Sequence, residues 1–276
     1  MKYIFCAFLL SYSFQLFASG DPVPTGGRSW ALANASVANR DAFSFYNNPA
    51  GLSHLKNIYG FSCYDRRYNL ADLQTISFGV IKPIKIGVVG LGISRFGGEY
   101  YHEHQLSIAY SQKINMVSLG AKINLLQTGI QDIGVKRVLT FEMGAIAELI
   151  PQKLLFGFHI YNFTQTKLAS YQDERVPTVM KAGVSYHPIE KLMINIETEK
   201  DIDYPAIFKC GIEYEIVKHF KLRTGVSSKP FASYFGFGLS PKNFQFDYAF
   251  RSHPQLGTSH HISVCLKFKN IFKTKS

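Results

Sequence analysis

From about residue 58 onward, apolar and polar positions alternate with a period of two along most of the chain. In the stretch FQFDYAFR, Phe244, Phe246, Tyr248 and Phe250 fall on one side, and Gln245, Asp247, Ala249 and Arg251 on the other. FKCGIEYEI sets Phe208, Cys210, Ile212, Tyr214 and Ile216 against Lys209, Gly211, Glu213 and Glu215, and HISVCLKFK repeats the pattern. Successive side chains of a strand point to opposite faces, so the alternation predicts β-strands with one apolar face each. About fourteen are predicted, beginning near residues 58, 73, 86, 104, 116, 138, 153, 177, 191, 206, 219, 232, 243 and 259.

The spacers between these strands alternate in length. Short ones such as KPIK (82–85), PQK (151–153) and VKH (217–219) are interleaved with longer ones such as FGGEYYHEH (96–104), QTGIQDIGVKR (127–137) and a polar stretch at 163–177. Short turns at one end, longer loops at the other and an even strand count predict an outer-membrane barrel. A β-sandwich also alternates, but its outward faces are polar, whereas every strand here has an apolar face of Phe, Tyr, Ile, Leu and Val. No stretch beyond the first twenty residues reaches the roughly 18 consecutive apolar residues of a transmembrane helix. The fold class expected is all-β: a membrane-spanning, antiparallel, up-and-down β-barrel over residues 58–276, closed so that every backbone group is paired.

The polar parity then identifies the lumen. Twelve glycines are assigned to it: Gly60, Gly79, Gly90, Gly92, Gly120, Gly144, Gly157, Gly183, Gly211, Gly225, Gly236 and Gly238. Glycine in a strand marks bending or a close approach by other backbone. The second meaning requires an occupant, and residues 21–57 fit it. They hold a turn, a short segment of small, helix-compatible residues and a second turn at Pro49 and Gly51, with too much apolar content for a solvated periplasmic tether. A short helical plug in the lumen is therefore expected. Glu142, Lys181, Glu197, Lys209, Glu213, Lys221, Arg223, Asp247 and Arg251 share the inward parity, either as a ladder of cross-strand pairs or as a polar permeation path.

Composition agrees. Charged residues make up 18% of the 276 and aromatics 14%, with 23 Phe and 16 Tyr against one Trp, where an ordinary soluble domain carries about a quarter charged residues. Lys2, the apolar run Ile4–Phe17 and the small residues Ala18, Ser19 and Gly20 read as an export leader over residues 1–20. Beyond it, Cys63, Cys210 and Cys265 make neither a disulfide framework nor a metal-ligand spacing. The net charge of +11 is spread along the chain without a basic patch of the kind that binds nucleic acid.

The N-terminal segment GGRSWALANASVANRDAFSFYNNPAGLSHL resembles the signature of the FadL/TodX-like superfamily of outer-membrane proteins, most nearly its PorV/PorQ-like members. The matching positions are Gly27 and Arg28, the small-residue stretch Ala33 to Ala38, Asp41 and Ala42, the aromatic Tyr46, and Asn48, Pro49, Ala50, Gly51 and Leu52. The resemblance implies that this segment enters the lumen as a hatch or plug. It also implies one of two functions in the outer membrane of a Gram-negative bacterium. FadL-like members pass long-chain fatty acids or hydrocarbons; PorV/PorQ-like members are accessory components of type IX protein secretion or surface attachment. The polar 163–177 loop and the absence of a greasy entrance favour the secretion role, with a protein partner beside the outer-membrane lipid, and leave the conduit as the alternative.

Other chemistry is weak. His260 and His261 are adjacent and point to opposite faces; His102 and His104 lack a third ligand, so surface histidines are expected and no metal or other cofactor. No nucleophile motif such as Gly-x-Ser-x-Gly occurs, and a non-enzymatic role is expected. The short-turn end is basic, with Lys82, Lys85, Lys113, Lys153, Lys191, Lys218 and Lys242 and the tail residues Lys269, Lys273 and Lys275. These lysines either snorkel to lipid headgroups or meet an acidic periplasmic partner.

Overall fold

Fourteen antiparallel strands close on themselves, each paired with its sequence neighbours and the first with the last. The computed structural model describes residues 20–22, 24–168 and 175–268. The strands are β1 (Ile58–Arg66), β2 (Gln74–Ile84), β3 (Gly87–Gly97), β4 (Tyr101–Ile114), β5 (Val117–Ile130), β6 (Gly134–Ile150), β7 (Leu154–Tyr161), β8 (Val179–Ile189), β9 (Leu192–Asp201), β10 (Ile207–Val217), β11 (Phe220–Ser228), β12 (Phe231–Leu239), β13 (Phe244–His253) and β14 (Gly257–Phe268). The largest displacement from the expected starts is at β6, predicted near 138 and found from Gly134. The expected leader falls on residues 1–20, of which 1–19 lie outside the described residues.

The outer face is apolar around the wall, with Phe78, Leu91, Ile108, Ile123, Phe208 and Phe235 all exposed. Such a surface is favourable only against lipid, and closure satisfies the backbone there without water. No helix among the described residues is long and apolar enough to cross a membrane.

Two sequence expectations fail. Gly60 faces outward, because β1 turns Phe61, Cys63 and Asp65 into the interior. Phe61 is apolar and inward, which the alternation by itself misassigns. Most of the longer spacers are also strand. The expected loop at 127–137 is the paired end of β5 and β6, with Ile130 opposite Gly134 and only residues 131–133 between. The connection after β3 is 98–100, and those after β11 and β13 are 229–230 and 254–256. Among the described residues 67–73 remains long, and 162–178 separates β7 from β8.

The lumen is filled by the N-terminal segment. It contains α1 (Gly27–Ala31), α2 (Ser44–Asn47) and a 3-10 turn over Pro49–His54, after which the chain enters β1. The small residues from Ala33 to Ala38 form turns rather than helix; Ala33 and Asn34 take left-handed φ angles of 56° and 60° and end α1. Phe43, Phe45, Ala50 and Leu52 have no solvent exposure.

Candidate functional site

The site is the contact between this plug and its socket. Of the twelve glycines assigned to the lumen, those along the plug make room for it. A Cβ on Gly211 would lie 2.7 Å from the Leu32 carbonyl oxygen, on Gly225 2.6 Å from the Ala33 nitrogen, on Gly157 2.5 Å from the Val37 oxygen, and on Gly90 2.6 Å from the Phe45 ring. Gly120 faces Pro49 and Ala50 in the same way, and Gly144 faces Asn48. Real Cβ atoms are essentially never that close, so any larger residue displaces plug or wall. Gly51 serves the same end within the plug, where a Cβ would run into Ser44 and the Asn39 carbonyl.

Polar groups fix the plug at three places. Arg28 makes a two-pronged contact with Glu213 on β10, Nε to Oε2 at 2.8 Å and Nη2 to Oε1 at 2.9 Å, and its Nη1 reaches Asp41 Oδ2 at 3.0 Å. Glu213 also accepts Arg223 Nε at 2.6 Å, and Arg223 Nη1 donates to Asp247 Oδ1 at 2.6 Å, with Gln245 on the second Asp247 oxygen. Burial alone would lower the Arg28 guanidinium, but Glu213 and Asp41 more than reverse this and hold it above its usual range. Planar guanidinium groups suit this paired-carboxylate geometry.

On the neighbouring strand β9, Glu197 Oε2 accepts the successive N–H groups of Ser36 and Val37, both at 2.8 Å. Asn195 Nδ2 donates to the Ala35 carbonyl at 2.6 Å. Lys209 lies 3.6 Å from Glu197 and 2.6 Å from Glu199, which also meets Lys181 at 3.3 Å. The third place is Asn48, whose Nδ2 donates to Val37 and Phe158 carbonyls at 2.6 and 3.2 Å. Nearby, Lys122 Nζ donates to the Phe45 carbonyl at 3.2 Å and pairs with Glu142 at 3.0 Å, while Glu142 meets His159 at 3.0 Å.

One side of the plug is apolar. Phe43, Phe45 and Leu52 cluster with Phe61, Ile81, Val88 and Ala109 of β1 to β4, and Tyr46 packs edge-on to Phe61 with ring centroids 6.1 Å apart. There the wall is thin: Phe61, Gly79 and Gly92 lie side by side in register, with the Phe61 ring over Gly79 and the Phe45 ring over Gly92. Outside the same strands is an apolar depression of about 430 Å³ lined by Gly60, Phe78, Val80, Leu91, Leu266 and Phe268. Inside the lumen, above the plug, the cavity next to Asp21, Thr75, Glu103, Lys122 and Glu142 holds only about 30 Å³, room for a water molecule.

The start of the described chain closes the far end. Gly20 N–H donates to Glu103 Oε1 at 2.8 Å and its carbonyl accepts the Tyr161 hydroxyl at 2.9 Å, beneath Leu168 and Val176 of the 162–178 connection. Burial raises the Asp21 carboxyl to about 6; Arg67 opposes this, and Glu103 adds to it. At the near end His54 is pushed down to about 4, first by burial and then by Arg40 and Lys113.

The structure thus gathers Gly27, Arg28, Asp41, Tyr46, Asn48, Pro49, Ala50, Gly51 and Leu52 in the plug, and Glu142, Lys181, Glu197, Lys209, Glu213, Arg223 and Asp247 on the wall around it. Arg251 stands apart, over the rings of Tyr68 and Tyr234. Lys122, His159 and Glu199 escaped the sequence reading although they share the parity of Gly120, Gly157 and Glu197. His261 is not a surface histidine: it is buried, 2.7 Å from Asp65, and stacks at 3.8 Å on Trp30 of the plug. Among the described residues no His, Cys, Asp and Glu cluster has metal-binding geometry.

No family model matches the sequence, and no curated protein does. Solved structures do. The monoaromatic hydrocarbon channel CymD superposes with a TM-score of 0.68 over 91% of this chain and 100% of its own, at 13% identity. The toluene transporter TodX of Pseudomonas putida gives 0.65 over 90% and 98%, at 10% identity. The chain has their fold. The likeness runs the length of the barrel and lies with hydrocarbon channels; the PorV/PorQ affinity expected from the motif finds no support in these neighbours.

Proposed function

We propose that the protein is a non-enzymatic outer-membrane channel for small apolar molecules, monoaromatic hydrocarbons or fatty acids among them, with residues 21–57 as a movable hatch. The observation that carries this reading is the aromatic side of the plug. Phe43 and Phe45 back onto the thin Phe61–Gly79–Gly92 strip of wall, behind the outer apolar depression. The rest of the lumen is polar, and an apolar solute would follow the aromatic side once the hatch shifts. The fold likeness to CymD and TodX supports the same substrate class. The test is uptake of toluene by a Gram-negative host lacking its own hydrocarbon channels. Expression of this chain is expected to raise the initial rate several-fold, and an unchanged rate contradicts the reading.

A second reading is an accessory component of type IX secretion or surface attachment. Two observations favour it: the plug in the lumen, with a water-sized cavity beside Asp21 and Glu103, and the shortness of most connections at the far end. Gentle purification from native membranes separates the two. A stoichiometric translocon partner supports the accessory role, and bound lipid without a protein partner supports the channel.

A further inference from the structure

Charge is distributed unevenly between the two ends of the barrel. One end carries the six short turns and both Ile58 and Phe268; in outer-membrane barrels the short turns face the periplasm. Five of those turns present an exposed lysine: Lys85, Lys153, Lys191, Lys218 and Lys242. Lys113 and Lys221 stand on the inward parity of β4 and β11 and reach Glu148 and Glu213 at 3.5 and 3.2 Å, so they lie over the mouth. The underside of the plug adds exposed Lys56, and Arg40, 3.5 Å from the same Glu148. The carboxylates among them are exposed Glu190, half-buried Glu215 at 3.9 Å from Lys221, and the Glu148 and Glu213 already named, so the balance is positive. At the far rim the signs are mixed, with Lys136, Arg137 and Lys229 among Glu99, Asp132 and Asp203.

Lysines that snorkel to headgroups stand on the lipid-facing parity. Of these, Lys82 does, in line with Phe78 and Val80. The others crown the turns or lean inward, so the charge forms a disc across the mouth rather than a collar in the headgroup layer. The depressed His54 lies within this same positive field. A disc whose balance is positive recruits an acidic surface.

We propose that the short-turn mouth is a docking face for an acidic surface of a periplasmic protein, which on binding touches the underside of the plug. The proposal holds whether the barrel conducts or not. It is tested by placing a photo-reactive residue at Lys218, and separately at Lys229 on the opposite rim, in the native host. Any protein captured at Lys218 is then purified and its affinity measured for the full-length barrel in phosphatidylcholine nanodiscs. Expected is a protein adduct at Lys218 and not at Lys229. The affinity should fall about tenfold or more in the Lys153→Glu, Lys191→Glu, Lys218→Glu, Lys242→Glu variant and survive the four Lys→Arg changes. All four sites are exposed turn tips, and heat-modifiable mobility on gels checks that each variant is folded. Three results overturn the proposal: adducts to phospholipid alone, no adduct, or a partner whose affinity ignores the charge reversal. In discs doped with phosphatidylglycerol, lipid enrichment lost on charge reversal, without a protein adduct, assigns the lysines to headgroups instead.

Discussion

At the residue scale the plug is held by a few groups whose removal has calculable consequences. Arg28→Ala leaves Glu213 short of its two-pronged partner in a buried site, a loss of about 3 kcal/mol for a broken buried pair. Arg223 and Lys221 remain on Glu213, so the barrel itself should persist. Trp30, the one tryptophan of the chain, is buried in the plug against His261 and reports the change. The urea midpoint of its emission should fall in the variant while the barrel's mobility on gels stays folded. An unchanged midpoint would show that Arg28 does not hold the plug. Glycine gives the converse case: Gly211→Val drives a side chain into Leu32 and should red-shift Trp30 emission without denaturant.

His54 adds a pH dependence. Its folded value of about 4 lies below the ordinary 6.5, so the seated plug takes up fewer protons than the free segment. Seating is therefore fully stable above the free value and weakens as pH falls from about 6.5 toward 4. Asp21 runs the other way: raised to about 6, it strengthens seating as pH falls through that value toward 3.8. His54→Gln should remove only the first effect, visible as slower amide exchange over residues 50–56 at pH 5 than in the parent. Equal exchange in both would exclude His54 as the source.

At the element scale, the barrel strands were legible because lipid enforces a strict period of two. Phe208 and Lys209, or Phe246 and Asp247, cannot exchange faces without placing a charge in hydrocarbon. The lumen relaxes that rule wherever the plug supplies an apolar surface, which is why β1 turns Phe61 and Cys63 inward against Phe43 and Phe45. Loop lengths were misread for a related reason. Residues 127–137 carry polar positions because they rise beyond the apolar belt, yet 127–130 and 134–137 stay paired as strand. The plug's helices could not be placed from propensity either: Ala33 and Asn34 break the helix that alanines favour, since Gly211 and Gly225 admit only a tight turn there. The anchors on Asn195, Lys122 and His159 needed the three-dimensional course of the plug, although parity put them on the right face. If the plug is a separate element within a self-sufficient barrel, deleting residues 24–55 should leave a folded barrel whose charged lumen fills with water. Such a variant is expected to conduct ions in planar bilayers where the parent does not; a silent, folded variant would mean the lumen collapses without its plug.

At the scale of the whole molecule, the question is whether the plug moves when an apolar molecule crosses. The geometry offers a direct lock. Val37 Cγ1 lies 3.0 Å from where a Cβ on Gly183 would stand, the relation a disulfide requires between one sulfur and the opposite Cβ. That Cβ would also stand 2.5 Å from the Ile196 carbonyl oxygen, so the wall must shift there, equally in the oxidised and the reduced form. With Cys63, Cys210 and Cys265 replaced by alanine, the Val37→Cys, Gly183→Cys variant should oxidise to a plug fixed to β8. Initial toluene uptake by cells carrying it is expected to fall to the level of the empty host when oxidised and to recover on reduction. Uptake that is equally fast in the oxidised and reduced forms would contradict a movable hatch.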